Sequence, residues 1–185
     1  MSWKNTEKNY GLLSITFHWL MFFLIVSVYA CIELRELYPK GSDPRNALKM
    51  WHFMLGLSVF VLVWLRLVAR SLQLKPESLA NMKDWQNLLA KVMHYLLYIF
   101  MVSMPLMGWL ILSAEGKTIP FYGLTLPALV AENHELAEWV EEIHELVGTV
   151  GYVLIAIHTV AALFHHYILK DSALRRMLPG NKVSR

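Results

Sequence analysis

A single cysteine, Cys31, stands among 185 residues. It excludes an internal disulfide and any zinc or iron–sulfur site built on cysteines of one chain. No C-x-x-C-H stretch occurs, so covalent c-type haem attachment is excluded too. Charge is scarce, at 17% of residues, and the net +3 sorts by loop instead of forming a basic patch; nucleic acid is not an expected partner. Tandem repeats and low-complexity tails are missing. So are a carboxylate pair, a nucleophile beside a base and a phosphate loop, which leaves the chemistry to a cofactor. No cleavable signal peptide is expected, because the first apolar run is too long for a signal core and lacks a small-residue cleavage site.

What the chain does have is apolar length. It is 56% hydrophobic, with a mean hydropathy of +0.41. The excess lies in four runs, 12–32, 50–70, 92–114 and 146–169, the second of which reaches spanning length only by including Arg66. At about 1.5 Å per residue, roughly 20 helical residues cross a hydrocarbon core. Backbone groups cannot stay unpaired in lipid, and the runs lack two-residue alternation, so helices are expected and a β-barrel is not. The expected fold is therefore all-α, a single four-helix membrane bundle over residues 1–185. The side holding both termini and the connection between spans two and three carries 12 of the 17 Lys and Arg. The positive-inside rule then puts both termini in the cytoplasm. Residues 78–90 are expected to form a short interfacial helix, 116–127 an irregular outer loop and 128–145 a helix leading into span four. Pro105 is expected to kink span three, with Gly108 easing close packing.

Eight histidines are present, and seven lie within or at the edge of a span. Intramembrane ionisable residues are costly and point to function by default. His144 and His158 are 14 residues apart on one span. That is close to four turns, about 21 Å along one helix face. His52 enters its span from outside and His18 from inside, so the depths pair His52 with His144 and His18 with His158. A bare zinc or copper ion would want three or four protein ligands. Two per level suit haem, whose porphyrin supplies four nitrogens. Gly56, Gly148 and Gly151 leave room for a flat macrocycle; ordinary small-residue helix packing is the alternative reading of these glycines.

The stretch Ser14-Ile15-Thr16-Phe17-His18-Trp19-Leu20 resembles the first-helix haem motif of the bacterial cytochrome b561 family. Met104-Pro105-Leu106-Met107-Gly108-Trp109, Tyr122-Gly123-Leu124-Thr125-Leu126-Pro127 and the segment from His158 to Tyr167 are similar too, in order along the chain. The resemblance is strongest to the superoxide oxidase type, a superoxide:ubiquinone oxidoreductase of the bacterial inner membrane.

The resemblance implies two b-type haems, with His18, His52, His144 and His158 as axial ligands to the iron. It implies that superoxide gives its electron at the outer side and that ubiquinone is reduced near the inner haem. His165, seven residues or about two turns beyond His158 on the same face, is then a quinone candidate, with a propionate partner or an interfacial residue as the alternatives. Ser14, one turn before His18, is a weaker quinone candidate. Arg66 is a candidate partner for inner-haem propionates, because Arg binds carboxylates bidentately. Arg70 reads as a topology signal, His94 as a propionate or structural residue without an opposed histidine, and His134 as solvated. His166 faces away from the ligand stripe. Arg35, Lys40, Arg45 and Lys49 precede His52 and are candidates for drawing in superoxide. Against that, the outer face counts 5 basic and 10 acidic residues. A second reading is a cytochrome b subunit relaying electrons from a dehydrogenase or hydrogenase partner to quinone, although no obligate partner is evident. A third is a metal-ion transporter.

Overall fold

The computed structural model describes residues 2–77 and 83–180. Among them four long helices follow one another: α1 (Leu12–Leu34), α2 (Asp43–Ser71), α3 (Asp84–Ala114) and α4 (His134–Tyr167). Each is long and apolar enough to cross a membrane, and the architecture is a mostly helical membrane bundle, as expected. Large apolar side chains face outward along them, with Phe23 60%, Ile99 63% and Val160 63% exposed. In water such surfaces would drive association. In lipid they meet a solvent as apolar as themselves, while the helix satisfies its own backbone.

The helices outrun the uncharged runs. α2 begins at Asp43 with Pro44 in its first turn, where a missing N–H costs nothing. Residues 84–90 are continuous with α3 and do not form a separate interfacial helix; residues 78–82 of that expected helix lie outside the described residues. α3 also continues through Pro105. α4 starts at His134, not at 128, because Asn133 caps it: Asn133 Oδ1 accepts the Leu136 N–H at 3.0 Å.

The expected irregular loop at 116–127 contains a hairpin. Strands β1 (Ile119–Phe121) and β2 (Leu124–Leu126) pair antiparallel, Ile119 opposite Leu126 and Phe121 opposite Leu124. Tyr122 and Gly123 between them both have positive φ, 47° and 85°, the twist a two-residue hairpin turn requires.

The chain divides into two compact units, one of Met1–Leu20, Trp64–Ile99 and Val150–Arg185, the other of Met21–Val63 and Phe100–Thr149. Each takes a portion of every long helix. In the second unit Leu57, Leu112 and Ile119 form a core on which Phe53, Trp109, Phe121 and Leu126 pack. The hairpin is bonded to that core's helices: the Ser58 and Tyr122 hydroxyls meet at 3.0 Å, and Trp109 Nε1 donates to the Pro127 carbonyl at 2.9 Å. In the first unit the N-terminal segment folds over Gly11, where a Cβ would run into the backbone of Lys4. Asn5 holds this turn, its Oδ1 accepting the Gly11 N–H at 2.8 Å and its Nδ2 donating to the Leu74 carbonyl at 2.9 Å.

Candidate haem sites

Two pairs of imidazoles face each other, one in each unit. In the second unit His52 on α2 and His144 on α4 have ring centroids 6.3 Å apart, with planes at 73°. In the first unit His18 on α1 and His158 on α4 stand 6.2 Å apart at 52°. A metal bound to imidazole nitrogen at about 2.0–2.1 Å, with that nitrogen about 1 Å from its own ring centre, sets two trans rings about 6 Å apart. Both pairs have that spacing. Among the described residues no group of three or more His, Cys, Asp and Glu side chains converges as a metal site. An ion held here would need its remaining ligands from a prosthetic group.

The surroundings fit such a group. His52 Nδ1 lies 3.1 Å from the Val28 carbonyl; the ring hydrogen is thereby drawn to Nδ1, and Nε2 keeps the lone pair a metal takes. His144 Nδ1 is buried with no hydrogen-bond partner among the described residues, which costs free energy unless a bound group meets it. A Cβ built on Gly56, one turn after His52, meets nothing within 4 Å, so space is open there. Residue 29 of α1 continues the work of Val28: Tyr29 donates its hydroxyl hydrogen to the Gly148 carbonyl at 2.7 Å, tying α1 to α4 one turn after His144.

Beside His18 and His158 lies a cation without a counter-ion. Arg66 is half-buried, its Nη2 3.5 Å from His18 Nδ1 and its guanidinium 5.6 Å from the Tyr98 ring. Arg70 stacks on the same ring at 5.4 Å and donates to the Tyr98 hydroxyl at 3.2 Å. Neither arginine has a carboxylate partner among the described residues. Arg66 can donate only to a bare Nδ1, whereas a metal on Nε2 leaves the hydrogen on Nδ1. A carboxylate-bearing ligand would resolve both conditions.

His94 departs from its expected place. Its ring lies 5.6 Å from that of His158, nearer than the ring of His18, and its Nδ1 faces the Ala90 carbonyl. Ser14 and His165 each have a partner of their own: Ser14 Oγ donates to Asn5 Oδ1 at 2.8 Å, and His165 Nδ1 donates to Asp171 Oδ2. His134 is exposed beside Glu132. His166 Nδ1 is buried without a partner.

Of the four cations expected to draw in an anion, two share one carboxylate. Glu36 takes Arg35 Nε at 3.0 Å and Arg45 Nη2 at 2.8 Å. Lys40 is exposed. Lys49 lines an open cleft of about 400 Å³ together with Lys117, Asn46, Thr118, Phe53 and Leu112. Lys117 was not legible as part of this set, because only the fold brings it beside Lys49.

Four helices long and apolar enough to span a membrane, with two pairs of facing imidazoles, define a multi-pass membrane protein fit to hold a planar iron-bearing group. The chain belongs to the prokaryotic cytochrome b561 family, whose sequence pattern matches residues 9–180. It is accordingly a bacterial membrane electron-transfer cytochrome of the b-haem type. It is similar to cytochrome b561 homolog 1 of Escherichia coli (strain K12), 37% identical over 91% of this chain and 96% of that one. It is also similar to the probable superoxide oxidase CybB of Yersinia pestis, 33% identical over 95% and 99%. Cytochrome b562 of Cereibacter sphaeroides is 28% identical over 93% and 96%.

Proposed function

We propose that the protein is a superoxide:ubiquinone oxidoreductase of the bacterial inner membrane, holding two b-type haems and both termini in the cytoplasm. The observation that carries the reading is the pair of imidazole separations, 6.3 Å for His52 and His144 and 6.2 Å for His18 and His158. His52 and His144 would hold the iron of the outer haem, His18 and His158 that of the inner one. When bound, haem supplies a one-electron iron couple whose potential is set by its ligands and their surroundings.

The remaining work falls to side chains. Lys49 gives the outer cleft local positive charge in an acidic surround, which favours a small anion; Lys117 beside it is paired with Glu115 at 2.8 Å. Arg66, which has no carboxylate partner among the described residues, offers its guanidinium to propionates at the inner haem. His165, beyond His158 on the same helix face, meets ubiquinone. The net reaction converts two superoxide anions, one ubiquinone and two protons into two dioxygen molecules and one ubiquinol. The likeness to a probable superoxide oxidase supports the donor.

The Glu36 ion pairs favour a second reading, in which a dehydrogenase or hydrogenase partner feeds electrons to the same haems, since they engage two of the cations a superoxide path would use and offset one of their charges. Stopped-flow mixing of the oxidised protein with superoxide separates the two. Growth of the reduced α-band supports the oxidase. Haems that stay oxidised exclude it.

A further inference from the structure

The helix carrying His144 and His158 ends in a turn that does more than stop it. The N–H groups of Ile168 and Leu169 both donate to the Phe164 carbonyl, at 2.9 and 3.1 Å, and the Asp171 N–H donates to the His165 carbonyl at 3.1 Å. Between them Lys170 adopts φ 53°, a left-handed conformation that costs a residue with a side chain free energy. The result is that the chain reverses and Asp171 returns to the helix end. Its carboxylate is divided between two tasks. Oδ1 accepts the Ala173 N–H at 2.8 Å, which holds the turn. Oδ2 accepts the hydrogen on His165 Nδ1. Both side chains are largely buried, 17% exposed for His165 and 21% for Asp171.

Electrostatics alone would not put a carboxylate there. The C-terminal end of a helix carries partial negative charge and disfavours an anion. Such a carboxylate favours a partner able to take up positive charge, and its side-chain partner is an imidazole. Lys170 and Arg175 on the same segment are exposed, and Arg176 donates to the Glu77 carbonyl at 2.7 Å. The pair is thus Asp171 with His165. His165 follows His158 by seven residues, about 10 Å along the helix and nearly on the same face.

We propose that Asp171 is a positioning residue for quinone reduction: it fixes the His165 ring with the Nδ1 hydrogen on the carboxylate, so that Nε2 can hand a proton to a quinone carbonyl. The inference rests on the quinone reading above. In the step the quinone takes two electrons, one from each of two superoxide anions, and two protons. One C=O becomes C–OH as the His165 Nε2–H bond breaks and an O–H bond forms; the second proton comes from water. His165 recovers its proton from cytoplasmic water, and Asp171 balances the charge on the ring while both nitrogens carry hydrogen.

The test uses the full-length, haem-loaded protein reduced with dithionite, freed of excess reductant and mixed anaerobically with ubiquinone-1. Loss of the reduced α-band gives the rate. Asp171→Asn is expected to slow the limiting rate about 10-fold or more, within the range of a positioned proton donor, with the half-saturating ubiquinone-1 concentration unchanged. Asp171→Glu restores most of the rate. His165→Ala/Asp171→Asn is no slower than His165→Ala, because two groups acting as one are not additive. An unchanged α-band at equal protein shows that each variant is folded. Should Asp171→Asn lose haem, Asp171→Ser carries the same test, as its hydroxyl can still accept the Ala173 N–H. A wild-type limiting rate in the folded variant, a change confined to half-saturation, or additive losses in the double variant overturns the role of Asp171 and leaves the quinone reading standing. Wild-type protein that ubiquinone-1 fails to reoxidise overturns both.

Discussion

His52 and His144 face each other, so removing either should empty that site. If the protein holds two haems as proposed, His52→Ala or His144→Ala is expected to lower haem content from two to one per chain and to leave the inner absorption band in place. Pyridine haemochrome assay with a reduced-minus-oxidised spectrum reads this directly. Loss of both haems from a normally expressed protein would argue against independent sites. Arg66 makes a different prediction. Its charge lacks a carboxylate partner near His18, and a nearby positive charge favours the reduced iron. Arg66→Leu should therefore lower the inner midpoint potential, on the order of 60 mV, which is one tenfold step for a one-electron couple. A spectroelectrochemical titration with the inner band unshifted would remove Arg66 from the site. The histidine pairs were legible because helical phase and span direction are both readable in a sequence. The place of His94 was not: it depends on how α3 is rotated about its axis, and its ring ends 5.6 Å from His158.

At the level of elements, the four spans could be read from apolar length, whereas their ends could not. Asn133 was hidden inside a glutamate-rich stretch that itself favours helix, yet its side chain caps α4 and sets the start at His134. Asn133→Ala should cost about 1 kcal/mol and Asn133→Asp nearly nothing, as a thermal unfolding series on the haem-loaded protein would show. The hairpin escaped notice for a related reason. Its turn uses Tyr122 where Asn or Asp is the usual signal, and Tyr tolerates positive φ poorly. Gly123, at φ 85°, makes the turn possible. Gly123→Val should destabilise by more than about 1 kcal/mol and loosen the bond from Tyr122 to Ser58.

For the molecule as a whole, charge distribution was readable in the sequence, and local pairing was not. Arg35 and Arg45 count as cations in any sum, but Glu36 holds both; Lys117 joins Lys49 only through the fold. If this cleft draws in superoxide, Lys49→Glu/Lys117→Glu should slow haem reduction roughly 10-fold at low salt. The gap to the parent protein should narrow as ionic strength rises and screening sets in. A difference that ignores salt would assign the effect to local damage. If the bias of basic residues sets the orientation, reporter fusions at residue 1 and residue 185 should both give a cytoplasmic signal.

α4 runs 34 residues, about 51 Å of rod crossing an oil layer of about 30 Å. If its C-terminal end marks one edge of that layer, its first dozen residues, His144 among them, stand in the headgroup zone or above it. A reactant dissolved in water then reaches the outer pair of rings without entering oil. The same height leaves the site open to theft: membrane-impermeant one-electron dyes should drain electrons from it, and sealing the rod's upper end with a bound antibody fragment should slow that leak.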